Sequence, residues 1–158
     1  MQSVNADQRI LGYLGRALSM ELSAVQLYST QAKLVENWGL AEVAGKLSAE
    51  AGEELAHAER IISRMLALGV APNASQLRPV HLGHNLQELL QASHAFESEV
   101  VRLYEDATRH SARVGDHDSR LFFEALHAEE KEHAQHMLDW LRELQGVDST
   151  VSTRKWSA

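Results

Sequence analysis

Residues 47–61, LSAEAGEELAHAERI, carry Leu47, Glu50, Glu54, His57 and Ile61 at steps of three and four. That spacing puts a leucine and an isoleucine on one helix face together with two glutamates and a histidine. Extended outward, the stripe takes in Leu40 and Val43, and the helix runs from about Leu40 to Leu68. Before it, Asn37-Trp38-Gly39 is a short break. A first helix precedes that break, from about Ala6 to Glu36, with Leu11, Leu14, Leu18, Val25, Tyr28, Ala32 and Val35 on its face and Glu21 as the one polar residue there. After the second helix, the stretch from Gly69 to Gly83 contains Pro72, Asn73 and Pro79, a breaker cluster incompatible with helix. A third helix from about His84 to Arg113 shows Leu86, Leu90, Ser93, Glu97, Val100, Tyr104 and Ala107. Gly115-Asp116 breaks the chain again. The fourth helix, about His117 to Leu144, shows Leu126, Glu130, His133, Met137, Trp140 and Leu144.

Helices of about 30 residues are ~45 Å long. The short breaks make antiparallel hairpins of helices one and two, and of three and four. The 15 residues from Gly69 to Gly83 can span that length when extended, at ~3.3 Å each. Helices two and three then run parallel, so the expected fold is an all-α four-helix bundle with one long crossover between helices two and three. Residues 1–145 form this one domain, and residues 146–158 form a Ser/Thr-rich tail. Composition agrees: 158 residues suit one domain, and only 9 Gly and 2 Pro favour long uninterrupted elements over a many-turned β-sandwich.

Cysteine is absent, which removes disulfide scaffolds, thiolate zinc, iron–sulfur clusters and cysteine nucleophiles. A net charge of −7 disfavours nucleic acid and anionic membrane as partners. With no basic-apolar leader and no run of about 18 apolar residues, the expected compartment is the cytoplasm. Nine histidines stand beside 22 acidic residues, so any metal here has oxygen and imidazole ligands.

The polar residues on the apolar stripes repeat. Glu21 precedes Glu54 by 33 positions, and Glu97 precedes Glu130 by 33. Both second glutamates open Glu-x-x-His, at Glu54–His57 and Glu130–His133, and a tyrosine follows each first glutamate by seven residues, at Tyr28 and Tyr104. Glu21 lies 17 residues before Trp38 and Glu54 lies 16 after it; Glu97 lies 18 before Gly115 and Glu130 lies 15 after it. The four carboxylates therefore sit within ~3 Å of one level in the bundle. Four buried carboxylates repel one another and lose hydration. Two divalent cations would neutralise them, with the imidazoles completing a binuclear site that has positions left for dioxygen or peroxide. In that site Glu54 and Glu130 are the expected bridges, and Glu21 and Glu97 the terminal carboxylates. A merely structural network is the competing account, but an apolar core would stabilise a bundle as well or better.

This doubled pattern resembles the ferritin-like di-iron superfamily, and the bacterioferritins in particular, over residues from about 10 to 145. Asn37-Trp38-Gly39-Leu40, His57-Ala58-Glu59-Arg60 and Pro72-Asn73 strengthen the likeness. The resemblance implies a ferroxidase, an oxidoreductase that oxidises Fe(II) with dioxygen or peroxide at a di-iron site to a ferric oxo-bridged product. It implies as catalytic and metal-ligating residues Glu21, Glu54, His57, Glu97, Glu130 and His133, and an iron-storing, hollow shell of 24 subunits built from dimers. It also brings haem b, held between two subunits by a methionine directly after the first Glu of the helix-two motif. Here that residue is Leu55, which cannot ligate iron. A homo-oligomer is therefore expected to lack haem by that route, whereas a methionine-bearing sister subunit in a mixed shell would restore it. The family's inner-surface histidine and aspartate correspond to Ala49 and Glu53, so the resemblance implies either a weaker internal iron relay or one that uses Glu50 and Glu53 instead. A short fifth helix, usual in the family, falls on a tail of poor helix propensity.

Outside the six ligands, His81, His84, His94, His110, His117 and His127 lack paired spacing, and His136 is expected at the surface. Glu129 to Glu132 form a charge run of which only Glu130 lies on the stripe; Met137 and Trp140 are expected in the core. Two other functions compete: a mainly structural subunit of a mixed cage, and a rubrerythrin-like peroxidase fed by a separate electron donor.

Overall fold

The computed structural model describes residues 6–148. Four helices are present, α1 (Gln8–Asn37), α2 (Ala41–Ala67), α3 (Leu86–Arg113) and α4 (His117–Asp148), and there is no strand among the described residues. Three of these helices end on a glycine in the left-handed region, Gly39, Gly69 and Gly115 at φ 82°, 78° and 74°. The backbone closes each end in the same way. At α1, the Leu40 N–H donates to Val35 O at 3.0 Å and the Gly39 N–H to Glu36 O at 2.9 Å, a pairing that consumes the terminal carbonyls and stops the helix. Three of the four helix starts are capped by side chains: Asp7 Oδ1 accepts from the Arg9 and Ile10 amides, Asn85 Oδ1 from Glu88, and Asp116 Oδ1 from Ser119, whereas α2 starts at Leu40 without one.

The observed helix ends correct the expected boundaries. Helix three begins at Leu86 rather than His84, because Asn85 is its extended N-cap (φ −151°, ψ 170°). Helix four passes Leu144 and continues through Asp148, so the bundle takes in the first residues assigned to the tail. The rest of the tail, with the question of a fifth helix, lies outside the described residues.

Cross-helix contacts give the topology. From α1 to α3 the pairs are Asp7–His110, Glu21–Tyr104, Tyr28–Glu97 and Gln31–Ser93 contacts, one number rising as the other falls. From α2 to α4 they are Glu54–His133, Arg60–Glu129 and Arg64–Ser119. Both pairs are thus antiparallel, as are the hairpins α1–α2 and α3–α4, and α2 and α3 are parallel as the crossover requires. The crossover is pinned at mid-bundle: the Gln76 and Arg78 amides donate to Ser19 Oγ at 3.1 Å and Ser23 Oγ at 3.0 Å.

Two apolar clusters fill the interior. One contains Ile10, Leu14, Leu18, Ile61, Met65, Val100, Tyr104, Phe123 and Leu126; the other contains Tyr28, Val35, Leu47, Leu89, Leu90, Met137 and Leu141. Each helix contributes to both, so every helix crosses the gap between them. The expected stripes hold at most positions and miss at a few. Leu11, Val25 and Trp140 are only half-buried, and the Lys46 ammonium lies over the Trp140 ring at 5.2 Å.

Candidate metal centre

The layer between the apolar clusters is polar. Glu21, Glu97 and Glu130 are fully buried there, Glu54 is 1% exposed, and His57 and His133 are 5% and 7% exposed. Each helix reaches the layer at its midpoint, and the three-residue step of Glu-x-x-His turns both groups of a motif inward. All six residues singled out from sequence converge.

The two motifs interlock across α2 and α4. His57 Nδ1 lies 2.7 Å from Glu130 Oε1, 3.3 Å from Glu54 Oε2 and 3.6 Å from Glu21 Oε2. His133 Nδ1 lies 2.7 Å from Glu54 Oε1 and 3.6 Å from Glu130 Oε2. The imidazoles stack with centroids 5.5 Å apart at 20°. Ligand atoms of Glu21, Glu54, His57 and Glu130 all come within 4.8 Å of one another, as do those of Glu54, Glu97, Glu130 and His133. Glu54 and Glu130 belong to both sets.

Four of the six groups are in turn held by hydroxyls and carboxylates, reciprocally between the sequence halves. The Tyr28 hydroxyl donates to Glu97 Oε1, and the Tyr104 hydroxyl donates to Glu21 Oε1 at 2.6 Å. His57 Nε2 meets Glu129 Oε2 at 3.2 Å, and His133 Nε2 meets Glu53 Oε2 at 2.6 Å. Glu53 and Glu129 each directly precede a Glu-x-x-His, and each serves the histidine of the other motif. Within the charge run Glu129 to Glu132, the structure adds a second inward-acting member off the stripe: Glu129 is half-buried, against His57 and paired with Arg60. The available signal was the glutamate shared by positions 53 and 129, 76 apart like Glu54 and Glu130. Glu50 and Glu53 do gather at His133 as a third acidic group. The sequence also hid His110, which is buried and bonded to the α1 cap Asp7 at 2.9 Å. His136 is exposed, as expected.

Electrostatics follow from burial. Desolvation pushes the Glu54 carboxyl up to about 7 despite its bonds to His133 and His57. It raises Glu130 and carries Glu97 well above the usual carboxylate range, helped there by the Glu130 charge. Burial acts the same way on Glu21, but His57, Glu54 and Tyr104 outweigh it and hold that carboxyl low. Burial opposes the imidazolium form of both histidines, yet the surrounding glutamates prevail and push each up to about 12. Without a cation, positive charge is thus supplied by protons on imidazole.

That compensation is incomplete. Among the described residues, the buried side-chain atoms without a hydrogen-bond partner include Glu21 Oε2, Glu54 Oε2, His57 Nδ1, Glu97 Oε2 and both Glu130 oxygens. His57 Nδ1 and Glu130 Oε1 are close but not aligned to bond. Buried polar groups are rarely left unpaired; here the unpaired atoms are hard oxygens and one imidazole nitrogen around a common centre. That donor set fits two divalent first-row cations.

The chain matches the family model described as a ferritin-like domain over residues 11–147. It is 37% identical to the bacterioferritin of Rhodobacter capsulatus over 82% of this chain and 81% of that one. To the bacterioferritin of Mycolicibacterium paratuberculosis it is 31% identical, over 85% and 84%. The fold superposes on a solved R. capsulatus bacterioferritin, described as having a metal-free dinuclear site and haem iron, with a TM-score of 0.84 and 32% identity, covering 97% and 96% of the two chains.

Proposed function

This chain belongs to the bacterioferritin family of ferritin-like proteins, and on that premise we propose that it is a ferroxidase and iron-storage subunit. Its substrate is Fe(II). One ion is held by Glu21, Glu54, His57 and Glu130, and the other by Glu54, Glu97, Glu130 and His133. The observation that carries this reading is the overlap of two four-residue ligand groups in Glu54 and Glu130. Two shared carboxylates hold two cations close together, and the four carboxylates balance the charge of the pair.

Two Fe(II) ions each give up one electron. Together these suffice to reduce peroxide to water, or dioxygen to peroxide. The protein holds both donors at fixed separation in a dry layer, so both electrons are available to one oxidant. Glu54 and Glu130 span the pair, and each imidazole is oriented by the carboxylate on its outer nitrogen, Glu129 for His57 and Glu53 for His133. The ferric product collects inside a shell of 24 subunits assembled from dimers.

Leu55 is 44% exposed on the outside of α2 and offers no ligand where the resemblance implies a haem-holding methionine, so the homo-oligomer is expected to lack haem by that route. Purified protein is expected to show no Soret band. Adding Fe(II) in air is expected to give a fast rise in ferric oxo absorbance, saturating at two irons per chain. Glu54→Ala and His133→Ala are each expected to abolish the fast phase; unchanged fast kinetics in the double variant would refute the site. Light scattering with metal analysis tests storage: a large iron-loaded shell supports it, and a dimer with two metals points to a peroxidase.

A further inference from the structure

We propose that Tyr28 and Tyr104 are positioning residues that restrict the outer carboxylates, Glu97 and Glu21, to ligation through one oxygen each. This keeps a coordination position open on each ion for the oxidant. The inference rests on the two-ion reading of the site. Each tyrosine donates its single proton to Oε1 of the outer glutamate from the opposite half of the sequence. Oε2 of both glutamates is buried and unpartnered, and is therefore the atom each presents to an ion. With Glu54 and Glu130 giving one oxygen to each ion, every ion has four protein donors: two bridging oxygens, one imidazole nitrogen and one outer oxygen. Ligation through both oxygens of Glu21 or Glu97 would raise that to five and close a position.

Neither ring can move aside. Both tyrosines are fully buried, Tyr104 against Phe123 at 6.3 Å, and they are locked in different apolar clusters, one on each side of the layer. A buried phenol needs a partner for its hydroxyl, so ring packing and hydrogen bond select the same carboxylate orientation. The donor sits on α1 or α3 and acts on a ligand from the other of these helices, so neither sequence half sets its own coordination number.

The test uses Co(II), whose visible band weakens as coordination number rises, in the wild type and in Tyr28→Phe, Tyr104→Phe and the double variant. Phenylalanine keeps the ring packing and removes the donor. At an unchanged two Co(II) per chain, each variant is expected to lose band intensity, and the double variant to lose most. Azide, a probe of the open position, is expected to bind several-fold more weakly, because the second carboxylate oxygen then competes for that position. A purely structural role would alter melting but neither the spectrum nor azide binding, and that result overturns the proposal. Should the variants fail to fold, a crystal structure of Co(II)-loaded wild type decides: Glu21 or Glu97 bound through both oxygens refutes it, and binding through Oε2 alone upholds it. A wild type that does not take up two Co(II) refutes the metal centre itself, a failure distinct from unaltered spectra at full loading.

Discussion

His57 and His133 hold protons up to about pH 12 in the ion-free protein, and a ligating imidazole must give its proton up. Metal binding near neutral pH is therefore expected to release protons, and apparent affinity to rise with pH, about tenfold per unit for each proton displaced. Calorimetric titration of Zn(II) in buffers of different ionisation enthalpy measures the release; heats independent of buffer would contradict it. The same shifts set the ion-free stability. A histidine raised in the folded state stabilises fully below its ordinary 6.5 and loses that contribution as pH rises toward 12. Glu54, raised to about 7, binds more protons folded than unfolded between its ordinary value and 7, so it too makes stability fall with rising pH. Ion-free protein is expected to melt lower at pH 9 than at pH 6, while saturating Zn(II) narrows or reverses the difference. Glu129 and Glu53, which hold the Nε2 atoms of the two imidazoles, can be tested separately. Glu129→Gln or Glu53→Gln should weaken Zn(II) binding by roughly 10–100-fold through loss of imidazole orientation, measured by chelator competition.

At the scale of elements, the helices were legible because their apolar faces recur at helical spacing through all four segments. Their ends were less so, because a cap is a local backbone event. Asn85 ends the crossover by accepting from the Glu88 amide, while Glu88 Oε2 accepts from the His84 amide at 2.8 Å, so residues that read as a first turn lie outside it. The α3–α4 turn depends on Gly115 at φ 74°, with the Asp116 N–H bonded back to Ser111 O at 3.0 Å. Gly115→Ala is expected to cost ~1 kcal/mol from the left-handed strain of a Cβ, and Gly115→Asn less, since asparagine tolerates that conformation. Urea unfolding of the two variants checks the order; an alanine variant as stable as wild type would refute the strain.

Across the whole molecule, a polar layer divides the apolar interior, and such a layer without ions is a weak point. Removing one member of a buried charged network costs several kcal/mol, whereas filling the site with cations satisfies the unpaired oxygens. Zn(II) at 100 times its dissociation constant stabilises by ~2.7 kcal/mol per site. For a chain of this length that amounts to roughly 5–10 °C in Tm, and scanning calorimetry should show at least that rise. A Tm indifferent to Zn(II), Co(II) and Fe(II) would remove the cation from the account. The chain has no helix among its described residues long and apolar enough to cross a membrane.

The sequence by itself determined the helices, their order, the crossover and the level at which Glu21, Glu54, Glu97 and Glu130 meet, because helical rise and periodicity convert residue counts directly into position. It also marked the six residues that converge in the polar layer, since ionisable groups on an apolar stripe are costly and therefore conspicuous. Only the tertiary structure decided which groups touch across helices. Glu129 reaching His57, Glu53 reaching His133, and Tyr28 and Tyr104 serving the glutamates of the opposite half depend on how antiparallel helices are rotated and registered against one another. His110 bonded to Asp7 depends on the same thing. Periodicity within one helix carries no record of its neighbour's rotation. Packing of the two apolar clusters fixes that rotation, and the polar layer between them is assembled as its consequence.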